Sequence, residues 1–369
     1  MNDNCSRQRL GRKKIKFQMS EKTEAGAKAP WLNPKWANLL GRFLALVIVF
    51  AFFALLVDDG KFYTLRNLEN ILRQSCVYAT AGLGMTMVII GAGIDLSAGS
   101  LIALSVVVVA TTLNLNITGP DGQPHPFTEL HPALAPIVAV LAGTFAATLA
   151  GLCNGIMIVG LRLMPFIVTL GTMGMIRGLA KGIGHERDIY PPNETWINNI
   201  MDPTLSSLHR PWWILPIGVW ILIGGVIAAS LLLRYTRLGR HIFAVGSNEE
   251  TARLCGVSVS RTKLFIYTAS GFFCGVAGLM QFSYIGGIGQ PTTAVMYELF
   301  VIASVIIGGA SFTGGEGSIL GTIIGALTIT ILYTGGQQMG WPKWVQEMVI
   351  GGIIIAAVAL DRWRHRKAV

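Results

Sequence analysis

Charge is what this sequence has least of: Asp, Glu, Lys and Arg make up 13% of its 369 residues, about half the share of an ordinary soluble domain. With 52% hydrophobic residues, it is too apolar for a globular enzyme of this length. Cysteine is also sparse. Cys5, Cys76, Cys153, Cys255 and Cys274 form no CxxC and have no histidine at metal-ligand spacing, which excludes a zinc or redox motif and leaves them as small hydrophobes.

Catalytic and nucleotide-binding signatures are missing as well. There is no GxxxxGK[ST] phosphate cradle, no GxSxG elbow, no HExxH helix and no pair of carboxylates in an apolar setting. The chain cannot bind ATP in the P-loop manner by itself, and no metal or cofactor is expected. Asp95, Arg162, Glu298 and Glu316 all fall at the ends of apolar runs, so a buried charge relay of the kind that drives ion-coupled transport is not expected either.

What is present is a series of apolar blocks near the roughly 20 residues needed to cross hydrocarbon. Leu39 to Val57, Ser75 to Gly91, Ser100 to Leu115, Ala133 to Val159 and Pro165 to Lys181 form one set. Trp212 to Leu233, Leu264 to Phe282, Leu299 to Gly309, Ile319 to Tyr333 and Trp344 to Leu360 form the other. The expected fold is an all-α integral membrane protein of about ten transmembrane or re-entrant helices. The membrane domain runs over 39–361, between basic tails at 1–38 and 362–369. Leu299 to Gly309 and Ile319 to Tyr333 are short enough to re-enter rather than cross.

The net charge of +10 is laid out as a membrane topology rather than a nucleic-acid surface. Arg7, Arg9, Arg12, Lys13, Lys14 and Lys16 precede the first apolar block without the cleavage site of a signal peptide. Arg234, Arg237, Arg240, Arg253, Arg261 and Lys263 crowd one internal loop, and Arg362, Arg364, Arg366 and Lys367 end the chain. Asn114 to Pro132 and Ser283 to Tyr297 hold no Lys or Arg. Basic loops remain inside, so both termini and the loop from Arg234 to Lys263 are expected in the cytoplasm. The polar stretch from Gly182 to Pro211, with Trp196, Trp212 and Trp213 near its ends and Trp341 and Trp344 at the same level, is expected on the other face. Pairs with GxxxG spacing, Gly151 and Gly155, Gly174 with Gly178 and Gly182, Gly271 and Gly275, and Gly321 and Gly325, suggest close helix contacts.

Three strings stand out. GAGIDLSAGS at Gly91 to Ser100 reads as a tight cytoplasmic turn in which Asp95, Ser97 or Ser100 could cap the next helix. GGASFTGGEGSILG at Gly308 to Gly321 repeats its small-residue character, Gly314 and Gly315 included. In the basic loop, Ser247-Asn248 followed by Glu249 and Glu250, then Arg253 and Gly256, reads as a short helix with its own cap and stop.

In this order and spacing, GIDLSAGS, LGRHIFAVGSNEETARLCGVSV and GGASFTGGEGSILG resemble the permeases of ribose-type bacterial sugar ABC importers, over about Asn70 to Leu360. The resemblance implies a multi-pass protein of the bacterial inner membrane. It implies as partners two cytoplasmic ATPase subunits, a second permease copy or paralogue and a periplasmic binding protein, with a sugar as solute and no nucleic acid. It places ATPase coupling at Gly239, Arg240, Gly246, Asn248, Glu249, Ala252, Arg253 and Gly256, with Arg240 and Arg253 as charge partners. Asp95, Ser97, Ser100, Gly314 and Gly315 would belong to translocation-path or structural loops. The alternatives are a stand-alone secondary transporter or channel, and a membrane enzyme working through the His185 to Asp188 segment.

Overall fold

A helix that faces hydrocarbon keeps every backbone hydrogen bond within itself, and the ten apolar blocks all become helices. The computed structural model describes residues 34–204 and 214–366. In chain order the elements are α1 (Pro34–Leu56), α2 (Leu65–Ile90), α3 (Ala98–Leu113), β1 (Asn116–Thr118), β2 (Pro124–Pro126), α4 (Phe127–Leu130), α5 (Leu134–Gly160), α6 (Pro165–Ile183) and α7 (Ile217–Tyr235). They continue as α8 (Arg237–Ser247), α9 (Glu249–Leu254), α10 (Val259–Tyr284), α11 (Tyr297–Ile307), α12 (Ile319–Gln338) and α13 (Lys343–Arg366). The basic tail ahead of residue 34, the tryptophans Trp212 and Trp213, and the last three residues lie outside the described residues. One compact unit begins at Arg42, inside α1.

Among the described residues, α1, α5, α6, α7, α10 and α12 contain stretches long and apolar enough to cross a membrane, while α3 and α11 are shorter apolar helices. Their burial is graded. In α3, Ala98 to Val107 are all buried, and α2 is buried without a break from Ser75 to Ile90. Around them α5, α6 and α7 turn Leu141, Phe145, Met175, Leu179, Ile227 and Leu231 outward. In water such a surface would be a liability. In lipid it is the expected outer wall, and packing is left to small residues and interhelical hydrogen bonds.

The segment 114–131 departs from the all-helical expectation. It folds back as a hairpin with Asn116 opposite Pro126 and Thr118 opposite Pro124, followed by the short α4. Trp341 packs edge-on against Phe53 at 6.0 Å between ring centroids, whereas Trp344 is exposed as an interfacial aromatic should be.

Helix α10 is the spine, packed against α5, α2 and α3. A Cβ built on Gly271 would lie 2.5 Å from the Ala147 carbonyl oxygen, and one on Gly151 would lie 2.8 Å from Gly271 Cα. Gly275 meets Thr144 and Gly325 meets Ser304 in the same manner. The α6 series differs: Gly174, Gly178 and Gly182 have no atom within 4 Å of such a Cβ. Gly271→Ala should therefore force α5 and α10 apart and cost about 1–3 kcal/mol. Gly174→Ala should be neutral or slightly stabilising through helix propensity. Melting of the detergent-purified variants checks this, and equal losses at both positions would remove the packing assignment.

Candidate functional site

The GAGIDLSAGS string is not a surface turn. It leaves α2 at Gly91 and runs into the bundle, because its partners lie well inside neighbouring helices. The Ser270 hydroxyl donates to Asp95 Oδ2 at 2.8 Å, and Ser270 sits about 17 Å along α10 at 1.5 Å per residue. Ser100 Oγ donates to the Met173 carbonyl near the middle of α6 at 2.9 Å, and Thr169 Oγ1 donates to the Ile94 carbonyl at 3.2 Å. Helix α3 thus starts in the interior. No side chain caps it: Ser97 stands at the cap position without a capping bond, and Asp95 Oδ1 accepts instead from the Ser97 amide at 3.0 Å and the Ser97 hydroxyl at 2.5 Å. Asn154 of α5 closes the chain of donors by giving its amide hydrogen to Ser97 Oγ at 2.9 Å.

Asp95 is fully buried. Its position at the end of an apolar run suggested an exposed charge, but the run ends inside the protein, so chain position misjudged depth. The interior also holds Arg177 of α6, which donates to the carbonyls of Thr293 at 2.5 Å, Pro291 at 3.3 Å and Ala294 at 3.3 Å. These carbonyls belong to 285–296, a second non-helical segment, which returns from the end of α10 to start α11 beside Tyr78, about 20 Å along α2. The two broken segments touch, since a Cβ on Gly99 would lie 2.5 Å from the Ala294 carbonyl oxygen.

The basic loop forms α8 and α9 at one end of the bundle. Asn248, as expected, accepts from the Thr251 amide at 2.8 Å and starts α9, and Gly256 stops the turn with φ +82°. Helix α8 had no counterpart in the sequence reading. It starts at Thr236, whose hydroxyl accepts from the Gly239 amide at 3.0 Å. Glu249 accepts from Arg253 at 3.2 Å and from Lys263 at 2.6 Å, fastening α9 to the first turn of α10. Ala252 is buried with Val245 and Val259 in a small apolar cluster.

Gly246 and Gly239 are internal as well. A Cβ on Gly239 would strike the Leu232 and Leu233 carbonyls, and one on Gly246 would strike the Ile90 carbonyl and lie 2.8 Å from the Gly315 nitrogen. The Gly315 amide donates to the same Ile90 oxygen at 2.8 Å, with φ of +75° at Gly315 and +84° at Gly314. The end of α8, the end of α2 and the glycine loop after α11 therefore meet backbone to backbone. Ser318 caps α12 through the Gly321 amide at 3.3 Å, whereas Ser100 of the other string bonds the Met173 carbonyl instead. Of the residues assigned to coupling, Arg240, Asn248, Arg253 and Gly256 are exposed, and Leu254 joins them at 89% exposure. A lone leucine after Arg253 carried no sequence signal.

A bundle of membrane-length helices, with two helices that begin inside it and a two-helix extension seated on the end of α2 and the glycine loop before α12, is a multi-pass transport component rather than an enzyme. The chain belongs to the family described as "Branched-chain amino acid transport system / permease component", whose model matches residues 67–358. It is 32% identical over 343 residues to the ribose import permease protein RbsC of Escherichia coli K12, covering 93% of this chain and 99% of that protein. It is 34% identical over 346 residues to the D-allose transport system permease protein AlsC of the same strain, covering 94% and 98%. It is also 34% identical over 332 residues to the fructose import permease protein FrcC of Rhizobium meliloti, covering 88% and 85%. No solved structure matches the chain.

Asp95→Leu should leave the Ser97 and Ser270 hydroxyls without their acceptor and cost on the order of 3 kcal/mol. Asp95→Asn, which keeps one acceptor oxygen, should cost less. Melting midpoints in detergent report both, and a neutral Asp95→Leu would remove the pinning role.

Proposed function

We propose that the chain is the translocation subunit of an ATP-driven importer that carries a monosaccharide across the bacterial cytoplasmic membrane. The observation that carries this reading is the near full-length match to permeases named for ribose, allose and fructose. The distribution of Lys and Arg supports the orientation: both termini and α8–α9 face the cytoplasm, and the hairpin at 114–131 faces outward.

In this reading α8 and α9 receive the ATPase. Arg240, Asn248, Arg253 and Leu254 are exposed to form the contact, while Glu249, Ala252 and Gly246 make the extension stiff enough to pass on a displacement. The path of transmission is short, because Gly246 rests on Ile90 and Gly315, from which the α2 break and the loop before α12 both depart. ATP binding and release in the partner would thus shift both at once. A second permease copy completes the path, and a periplasmic binding protein delivers the solute.

The test is uptake of labelled ribose, allose, fructose and galactose by proteoliposomes holding the chain with its cognate ATPase and binding protein. Uptake should require ATP on the ATPase side; uptake driven by an ion gradient through the chain alone would support a secondary transporter instead. Leu254→Glu should lower ATP-dependent uptake at least tenfold while leaving the amount of folded permease unchanged. Wild-type uptake by that variant would remove α9 from the ATPase contact.

A further inference from the structure

At the end of the bundle opposite α8–α9, a cavity of about 360 Å³ opens among the ends of α10 and α12, the start of α13 and the broken segment 285–296. Its size falls within the range of small-molecule sites. Gln74, Gln281, Gln290, Gln337 and Gln346 line it, an unusual gathering of primary amides in a protein this apolar. Each amide can both donate and accept.

Two of these amides are incompletely satisfied. Gln281 is 3% exposed and donates to Thr293 Oγ1 at 3.1 Å, yet its Oε1 is buried without a partner. Gln346, 7% exposed, donates to the Trp341 carbonyl at 2.8 Å and likewise has an unpartnered Oε1. A buried acceptor without a donor is costly, so both mark places where a solute's hydroxyl would be favourable. Tyr284, Tyr297 and Tyr333 also line the cavity and offer ring faces. At its inner side Tyr297 stands edge-on to the fully buried Tyr78 at 4.8 Å, and Phe300 packs on Tyr78 at 5.5 Å and on Tyr333 at 5.7 Å. These rings form an aromatic wall on that side of the cavity.

The geometry points to this cavity as a transit site for one neutral monosaccharide, held by glutamine amides and stacked against tyrosine rings before it passes the aromatic wall. A sugar supplies many hydroxyl donors and acceptors and an apolar face of C–H groups, which are the complements of amides and rings. The charged residues of the lining, Lys343 and Glu347, both lie at the start of α13, so the five amides and the tyrosine rings carry the assignment to a sugar, and a zwitterionic amino acid is the competing solute that the leucine comparison tests. Neutral amides also hold a solute weakly, as a path requires, since a site that binds too well does not release. The proposal rests on the sugar-importer reading and adds the place and chemistry of recognition.

The test uses the full complex with ATPase and binding protein in proteoliposomes, with labelled ribose, allose, fructose and galactose as probes and leucine as a comparison. Gln281→Met replaces the amide by an apolar chain of similar length, and Thr292→Trp puts bulk at an exposed position of the cavity lining. Both should cut sugar uptake at least tenfold while ATP hydrolysis stimulated by the binding protein stays within twofold of wild type. If Gln281→Met fails to assemble, Thr292→Trp decides, because its site is exposed. Sugar uptake within twofold of wild type in the assembled variants overturns the transit site and leaves the importer reading intact. A wild-type complex that imports leucine and none of the sugars overturns both.

Discussion

Backbone that is broken inside an apolar bundle has to find its hydrogen bonds from neighbours, and this constraint organises the structure. Helices α3 and α11 both begin in the interior, and each start is held by side chains from other helices. Asp95 gathers the Ser97 amide, the Ser97 hydroxyl and the Ser270 hydroxyl. Arg177 reaches the carbonyls of Pro291, Thr293 and Ala294. Each unsatisfied group in hydrocarbon would cost several kcal/mol, so these few polar residues matter more than their small number suggests. Elsewhere in the bundle the buried hydroxyls of Thr86, Ser304 and Thr330 return to the carbonyl four residues back in their own helices.

The same breaks connect the ends of the molecule. One departs from α2 at Ile90, whose carbonyl oxygen accepts from Gly315 and faces Gly246 at the end of α8. At the other, Ala294 abuts Gly99 at the start of α3. A displacement of α8 thus has a continuous packed route to the interior, made of backbone rather than of long side chains. Glycine is required along it, since any Cβ at Gly99, Gly246 or Gly315 would collide with the facing chain. Backbone packing of this kind moves as a body instead of absorbing motion in rotamers.

Much of the fold was legible beforehand. The ten apolar blocks all became helices, the cap at Asn248 and the stop at Gly256 stand where local chemistry put them, and three of the four glycine pairs mark real helix contacts. The site was less legible. Gly246 and Ala252, which lie in the most distinctive string, are buried, and Glu249 pairs with Arg253 and Lys263, so of that string Arg240, Asn248, Arg253 and Gly256 are the assigned residues left exposed. Leu254 went unnoticed, because one exposed leucine has no pattern. Asp95 was placed at a surface turn because a polar, glycine-rich interruption looks the same whether the chain leaves the membrane or turns back within it.

By itself, then, the sequence determined membrane residence and which apolar blocks become helices. Those properties follow from length, hydropathy and charge, which act along the chain and need no knowledge of neighbours. Only the tertiary structure decided which interruptions run inward, which glycines are filled by another backbone and which polar groups are left with unmet hydrogen-bonding capacity. Those are properties of residues far apart in sequence: Asp95 and Ser270, Arg177 and Thr293, and Gln74 and Thr334 become neighbours only when the helices pack.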